Sequence, residues 1–129
     1  MNIPAQELGK WGENLAADFL IKQGYTIIAK NVRTPYGELD LVAQHPIKSR
    51  PGESTIVFVE VKTRRSRTFG YPEESVTTSK QEHLISAALH YLQDNPDLES
   101  DWRVDVIAIE CYKNQEPLIH HFENALREE

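Results

Sequence analysis

At 129 residues and 14.8 kDa, with 40% hydrophobic and 26% charged residues and a net charge of −6, the chain can form one core and is too balanced for a disordered or fibrous protein. No uncharged apolar run reaches the ~18 residues of a bilayer span, and Glu7, Glu13 and Asp18 are unlike an export signal, so a single cytoplasmic domain with no membrane partner is expected. The lone Cys111 excludes an internal disulfide and a C-x-x-C metal or redox pair, and it suits a small buried strand position.

The first predicted element is a helix from Pro4 to Gln23, with Pro4 suited to a first turn and Gly24 to the position just past the end. At about 100° per residue, Leu8, Gly9, Gly12, Leu15, Ala16, Phe19 and Leu20 fall in one arc, with Glu7, Asn14, Asp18 and Lys22 opposite. Glu13 is the exception, standing at the border of the apolar arc among small residues that let a helix approach a sheet closely. Tyr25 to Val32 reads as a first strand, Pro35-Tyr36-Gly37 as a turn, and Glu38 to Gln44 as a second strand completing a hairpin. Alternation along that second strand places Glu38, Asp40 and Val42 on one face and Leu39, Leu41 and Ala43 on the other, so Asp40 interrupts a hydrophobic strand. Glu38 shares its face and either touches the same site or caps the turn.

A loop from His45 to Ser54 leads to the strongest strand signal, Thr55 to Thr63, whose near-continuous apolar character implies a central strand covered by helices on both faces. Here Ile56, Phe58, Glu60 and Lys62 share a face, and Glu60 and Lys62 stand roughly 6.6 Å apart along the strand. The strand runs into the densest basic cluster, Lys62, Arg64, Arg65 and Arg67. This gives residues 1–67 a net charge of +3 against −9 for residues 68–129. A local basic footprint for nucleic acid therefore survives an acidic average, although solvated loops would carry the same charges. Tyr36, Phe69 and Tyr71 lie in loops near this cluster and either stack on bases or pack locally.

Ser79-x-x-Glu82 has the form of a capping box opening a helix from Lys80 to Asn95, with Pro96 at its exit. An acidic stretch runs from Asp94 to Asp101, then Trp102 to Cys111 forms a strand in which Arg103 and Asp105 share a face as a structural pair. Leu118 to Phe122 is a short last strand whose His120 and His121 point to opposite faces and so cannot jointly chelate a metal; Glu123 to Arg127 closes as a helical turn.

Asp40 and Glu60 carry the functional argument. A buried carboxylate is costly unless paired or metal-bound, so two of them on neighbouring strands suggest a shared cation, with hard oxygen ligands suited to Mg²⁺ or Mn²⁺. The competing reading is an internal Glu60–Lys62 ion pair. An acid-x-Lys triplet by itself decides nothing, since about one is expected by chance in this composition; its setting in the most apolar strand, after a strand with its own acid, gives it weight.

Beyond single residues, the chain holds Gly12-Glu13-x-x-Ala16-x-x-x-Leu20, Gly24-Tyr25-x-Ile27 with Asn31, Gly37-Glu38-Leu39-Asp40-Leu41-Val42-Ala43 and Phe58-Val59-Glu60-Val61-Lys62-Thr63-Arg64. Lys80, Ala88-x-x-Tyr91-Leu92, Arg103-x-Asp105-Val106 and Asn124-Ala125 follow. With these blocks the sequence closely resembles the YraN-like family of the restriction-endonuclease-like, or PD-(D/E)XK, nuclease superfamily, related in pattern to archaeal-type Holliday-junction resolvases. Leu39 stands where the superfamily's name has a proline. The resemblance implies an α/β, three-layer restriction-endonuclease-like fold with a central mixed β-sheet flanked by helices, in the order αβββαβ with a short final strand, and a site where the second and third strands diverge. It makes Asp40, Glu60, Lys62 and Glu13 the catalytic set. Asp40, Glu60, the Val61 carbonyl and Glu13 would hold Mg²⁺ or Mn²⁺, and Arg64, Arg65, Arg67 and Lys80 would grip phosphates without reading sequence. The expected function is metal-dependent cleavage of DNA, branched or damaged structures included, with a possible homodimer making paired cuts. Two other readings stay open: a catalytically silent nucleic-acid-binding module, and a protein-docking component of a DNA repair or uptake assembly that uses the acidic half.

Overall fold

The structure, a computed structural model, describes residues 3–65, 78–98 and 101–126. Helix α1 (Ala5–Lys22) follows Pro4 and ends where Gly24 takes φ +93°. There the Tyr25 N–H donates to the Leu20 carbonyl and the Gly24 N–H to the Ile21 carbonyl, the reciprocal pair that closes a helix over a left-handed residue. Strands β1 (Thr26–Thr34), β2 (Gly37–Pro46) and β3 (Ser54–Arg64) form an antiparallel meander. Helix α2 (Thr78–Asp94) lies in the β3-to-β4 connection, which a parallel neighbour requires, and β4 (Asp101–Glu110) runs beside β3 with β5 (Leu118–Phe122) antiparallel at the edge. The sheet order is β1-β2-β3-β4-β5, so the most apolar strand occupies the centre of a five-stranded mixed sheet.

Each face of that sheet carries a helix, giving the three layers expected of a restriction-endonuclease-like fold. Under α1, Ala16, Ala17 and Leu20 bury Leu41, Ala43, Val57, Val59, Ile107 and Ile109; under α2, Ala87 and Ala88 bury Val42, Ile56, Phe58 and Val104. No helix among the described residues is long and apolar enough to cross a membrane.

Gly12 sets how closely α1 approaches β3. A Cβ built there would meet Thr63 Oγ1 at 1.9 Å and Thr63 Cβ at 3.1 Å. Rotating the threonine would relieve the first contact but not the second. Gly12→Ala should therefore lower stability by about 1–3 kcal/mol through overpacking, more than the ~1 kcal/mol that alanine gains in a helix. Thermal unfolding of Gly12→Ala, Thr63→Ala and the double variant would show the loss partly restored in the double; an unchanged or higher melting temperature for Gly12→Ala alone would refute the close approach.

Four expectations are corrected. Helix α2 begins at Thr78, so Ser79 lies in its first turn instead of capping it from Lys80 onward. Cys111 falls just past the end of β4 and is only half-buried. Residues 123–126 form a turn and an extended segment, not a helical turn: the Ala125 N–H donates to the Val104 carbonyl and Leu126 sinks into the cluster under α2, and that tertiary anchoring outweighs local helical preference. Arg127, the end of the expected turn, lies outside the described residues. Finally, Leu39 does not share a face with Leu41 and Ala43 but joins Val42 beneath α2, because strand alternation fails where β2 leaves β3.

Candidate active site

Pairing between β2 and β3 ends at Leu41↔Val59, whereas β3 continues beside β4 as far as Arg64↔Glu110. Past that point the side of β3 facing β2 has lost its backbone partner. Asp40 supplies the replacement: its Oδ2 accepts the Val61 N–H at 2.8 Å. Its carboxylate thus turns into the gap between strands, instead of lying with Val42 under α2 as simple alternation predicts.

On the other side of β2, a register shift between Ile27 and Ala29 sets the strand so that Lys30 pairs with Leu41 and Val32 with Leu39, leaving Asn31 opposite Asp40. Asn31 adopts φ +50°, a left-handed conformation that asparagine tolerates better than most residues. Its Nδ2 donates to Glu13 Oε1 at 2.8 Å and to Glu38 Oε1 at 3.1 Å. Carboxylate oxygens of Glu13, Glu38 and Asp40 consequently lie within 4.8 Å of one another. The open alternative for Glu38 is thereby decided: it lies against the cluster, and it also makes a long, exposed contact to Arg33 at 4.0 Å.

Glu60 and Lys62 form the competing ion pair, Nζ to Oε1 at 3.0 Å, with side chains 15% and 17% exposed. Glu60 nonetheless stands beside Asp40 as well. Burial, the Glu60 charge beside it and the Glu13 charge push the Asp40 carboxyl up to about 8, against the opposing Val61 N–H. The Asp40 carboxyl thus keeps its proton to a higher pH than an ordinary carboxylate does. Hard oxygen donors this close, one of them disfavoured as an anion by like-charged neighbours, match the needs of a small divalent cation, whose charge relieves the repulsion.

A cleft of about 220 Å³ reaches this group through Glu38 and Glu60 and is lined also by Tyr36, Lys62, Lys80 and His83; Asp40 and Glu13 lie outside its lining. Lys80 therefore joins the predicted set through the first turn of α2. Val61 contributes its N–H, while its side chain packs under α1. Arg64 is exposed at the end of β3 and is not among the residues lining the cleft, and Arg65 lines a separate cavity of about 450 Å³ with Cys111, Tyr112 and Lys113. Arg67, Phe69 and Tyr71 lie outside the described residues. Sequence reasoning quotes Asn31 only as part of the family pattern, with no role, and does not single out His83. For Asn31 a signal existed, since asparagine is a poor strand residue and sits here within a strand.

A second polar cluster is structural. Asp105, fully buried, accepts from Arg103 Nε at 2.9 Å and from the Asn124 N–H at 2.9 Å, and faces His121 Nε2 at 2.8 Å. His120 turns the other way, to Glu110 at 3.4 Å, as the alternation predicted.

Comparison with known proteins gives a consistent family signal. The model of the family described as "Uncharacterised protein family UPF0102" matches residues 12–109. A UPF0102 protein of Syntrophomonas wolfei is 46% identical over 120 residues, covering 93% of this chain and 97% of its own. One of Bifidobacterium longum is 43% identical over 126 residues, covering 96% of each. Among solved structures, SfsA of Pyrococcus furiosus in complex with Ca²⁺ aligns with 94% of this chain at a TM-score of 0.40 and 16% identity; the chain spans 64% of that protein.

Proposed function

The chain belongs to the UPF0102 family, and on that premise we propose that it is a metal-dependent endonuclease of the restriction-endonuclease-like superfamily, hydrolysing phosphodiester bonds in DNA. One observation carries the reading: at the divergence of β2 and β3, Asp40 stands between Glu13 and Glu38 on one side and the Glu60–Lys62 pair on the other. Structural ion pairs alone give no reason to crowd acids around Asp40 until its ionised form is disfavoured.

Asp40, Glu60 and Glu13, with Glu38 and the Val61 carbonyl beside them, would hold Mg²⁺ or Mn²⁺. When bound, the cation supplies a Lewis acid for the phosphoryl oxygen and a water of lowered pKa. Lys62 contributes an ammonium fixed by Glu60 within the cleft, where charge develops on the phosphoryl group; a donor already in place needs no reorganisation. Lys80, across the same cleft, steadies a neighbouring phosphate, and Arg64, Arg65 and Arg67 add contacts to the DNA backbone outside it. A homodimer would bring two such clefts to one branched substrate.

Purified protein with Mg²⁺ or Mn²⁺ and a panel of linear, flapped and four-way DNA substrates tests the proposal. Cleavage should appear and fall by about 10²–10³-fold in Lys62→Ala. An intact protein that binds the cation but cuts nothing in the panel would overturn the enzyme reading and favour the silent binding module.

A further inference from the structure

Tyr36 is presented at the mouth of the cleft by a turn with little freedom. The Thr34 hydroxyl accepts the Tyr36 N–H at 3.1 Å and donates to the Gly37 carbonyl at 2.7 Å, while Gly37 takes φ +135°, which a residue with a side chain would strain to adopt. The ring is nonetheless 50% exposed, and its one described ring partner is the edge of His90, 6.1 Å between centroids. A large aromatic left half in water on a fixed backbone is neither core nor mobile loop. It opens onto the cleft that holds Glu60, Lys62 and Lys80.

The cleft, about 220 Å³, is open to solvent, so what it takes is set by its lining. A base can lie on the Tyr36 ring only with a face uncovered by its neighbours, which an unpaired nucleotide offers at least cost and a continuous duplex does not. Two ammonium groups offer phosphate contacts, and the exposed ring offers a π-face of the kind on which nucleobases stack irrespective of identity.

We infer that an unpaired nucleotide next to the cut phosphate stacks on Tyr36, so that the substrate class is DNA with a single-stranded nucleotide at the cleavage position and not continuous duplex. The inference rests on the nuclease reading and narrows its substrate. The phosphate lies toward Lys62 and Lys80, and the base turns outward onto the ring.

Binding, with Ca²⁺ in place of Mg²⁺ to suspend cutting, tests it separately from catalysis. The probes are a short single strand carrying 2-aminopurine and the same sequence as a blunt duplex, each followed by anisotropy and by 2-aminopurine fluorescence. The parent should prefer the single strand and change its base fluorescence. Tyr36→Leu, which keeps an apolar side chain but removes the π-face, should weaken single-strand binding about tenfold and leave duplex binding unchanged, and Tyr36→Trp should restore it. Equal losses on both probes, or none on either, would overturn the inference. If Tyr36→Leu abolishes the preference in a protein that never cuts DNA, the stacking site stands and the nuclease reading alone fails. Cutting of both substrates at parental rates by Tyr36→Leu would do the reverse.

Discussion

Asp40→Asn is expected to raise the melting temperature of the metal-free protein at pH 8 while lowering DNA cleavage by about 10³-fold or more, the joint signature of a carboxylate kept for chemistry at the expense of stability. Asp40 titrates near 8 in the folded chain and at the ordinary 3.8 in an unfolded one. A carboxyl raised in this way contributes stability that is fully present below pH 3.8 and lost as pH rises through 8, because burial beside Glu60 and Glu13 penalises the ionised form. The loss is of the order of a few kcal/mol, several degrees of melting temperature for a domain of this size. The amide isostere avoids it: its oxygen can still accept the Val61 N–H, and its nitrogen donates to Glu60 as the protonated acid does. The difference in melting temperature between variant and parent should widen from pH 5 to pH 8. Mg²⁺ or Mn²⁺ should stabilise the parent at pH 8 and the variant far less, since the ion would bind the folded parent through the ionised group. A variant that melts lower than the parent at pH 8 would show that crowding of carboxylates does not govern this position. One that cuts DNA at the parental rate would remove Asp40 from the machinery.

Asp40, Glu60 and Lys62 were legible because they are charged intrusions into strands that are otherwise apolar, and the centrality of β3 followed from its unbroken run of Ile56 to Val59. Strand alternation then failed at one place, Leu39 and Asp40, since it presumes continuous pairing and β2 parts from β3 there. The same divergence that makes the site is what defeats the pattern. Asn31 was hidden for a related reason: its position opposite Asp40 depends on the register shift between Ile27 and Ala29, and periodicity alone does not locate an inserted residue. Glu38 could not be decided from the sequence because a residue at a strand's start can face a turn or a site equally well. The Asp105 network depended on the β4–β5 register, which joins residues far apart in the chain: Ile107 pairs with His121, bringing that histidine beside Asp105, whereas only the adjacent Arg103 was within reach of a local rule.

That network sets the second large effect. Asp105→Ala is expected to cost about 3–5 kcal/mol, because it leaves Arg103 without its charge partner in a largely buried setting. Arg103 Nη2 also donates to the Tyr25 hydroxyl at 2.8 Å, and Tyr25 stacks on His45 at 4.1 Å, so the loss spreads from β4 into the residue that closes α1. Burial raises the Asp105 carboxyl, but donors from His121, Arg103 and the Asn124 N–H outweigh it and hold the group below its usual range. The sign is opposite to that of Asp40: the stability Asp105 contributes is present above pH 3.8 and lost as pH falls through its depressed folded value. Acid unfolding should therefore begin at higher pH once any of these donors is removed. Asp105→Asn should cost less than Asp105→Ala, since its carbonyl can still accept from the Asn124 N–H or Arg103, though a neutral amide cannot balance the Arg103 charge. Urea unfolding at pH 7 measures the order directly. Equal stability of parent and Asp105→Ala would mean that the buried carboxylate is compensated elsewhere, and the assignment of this cluster as a structural tie between β4, β5 and the first hairpin would be wrong.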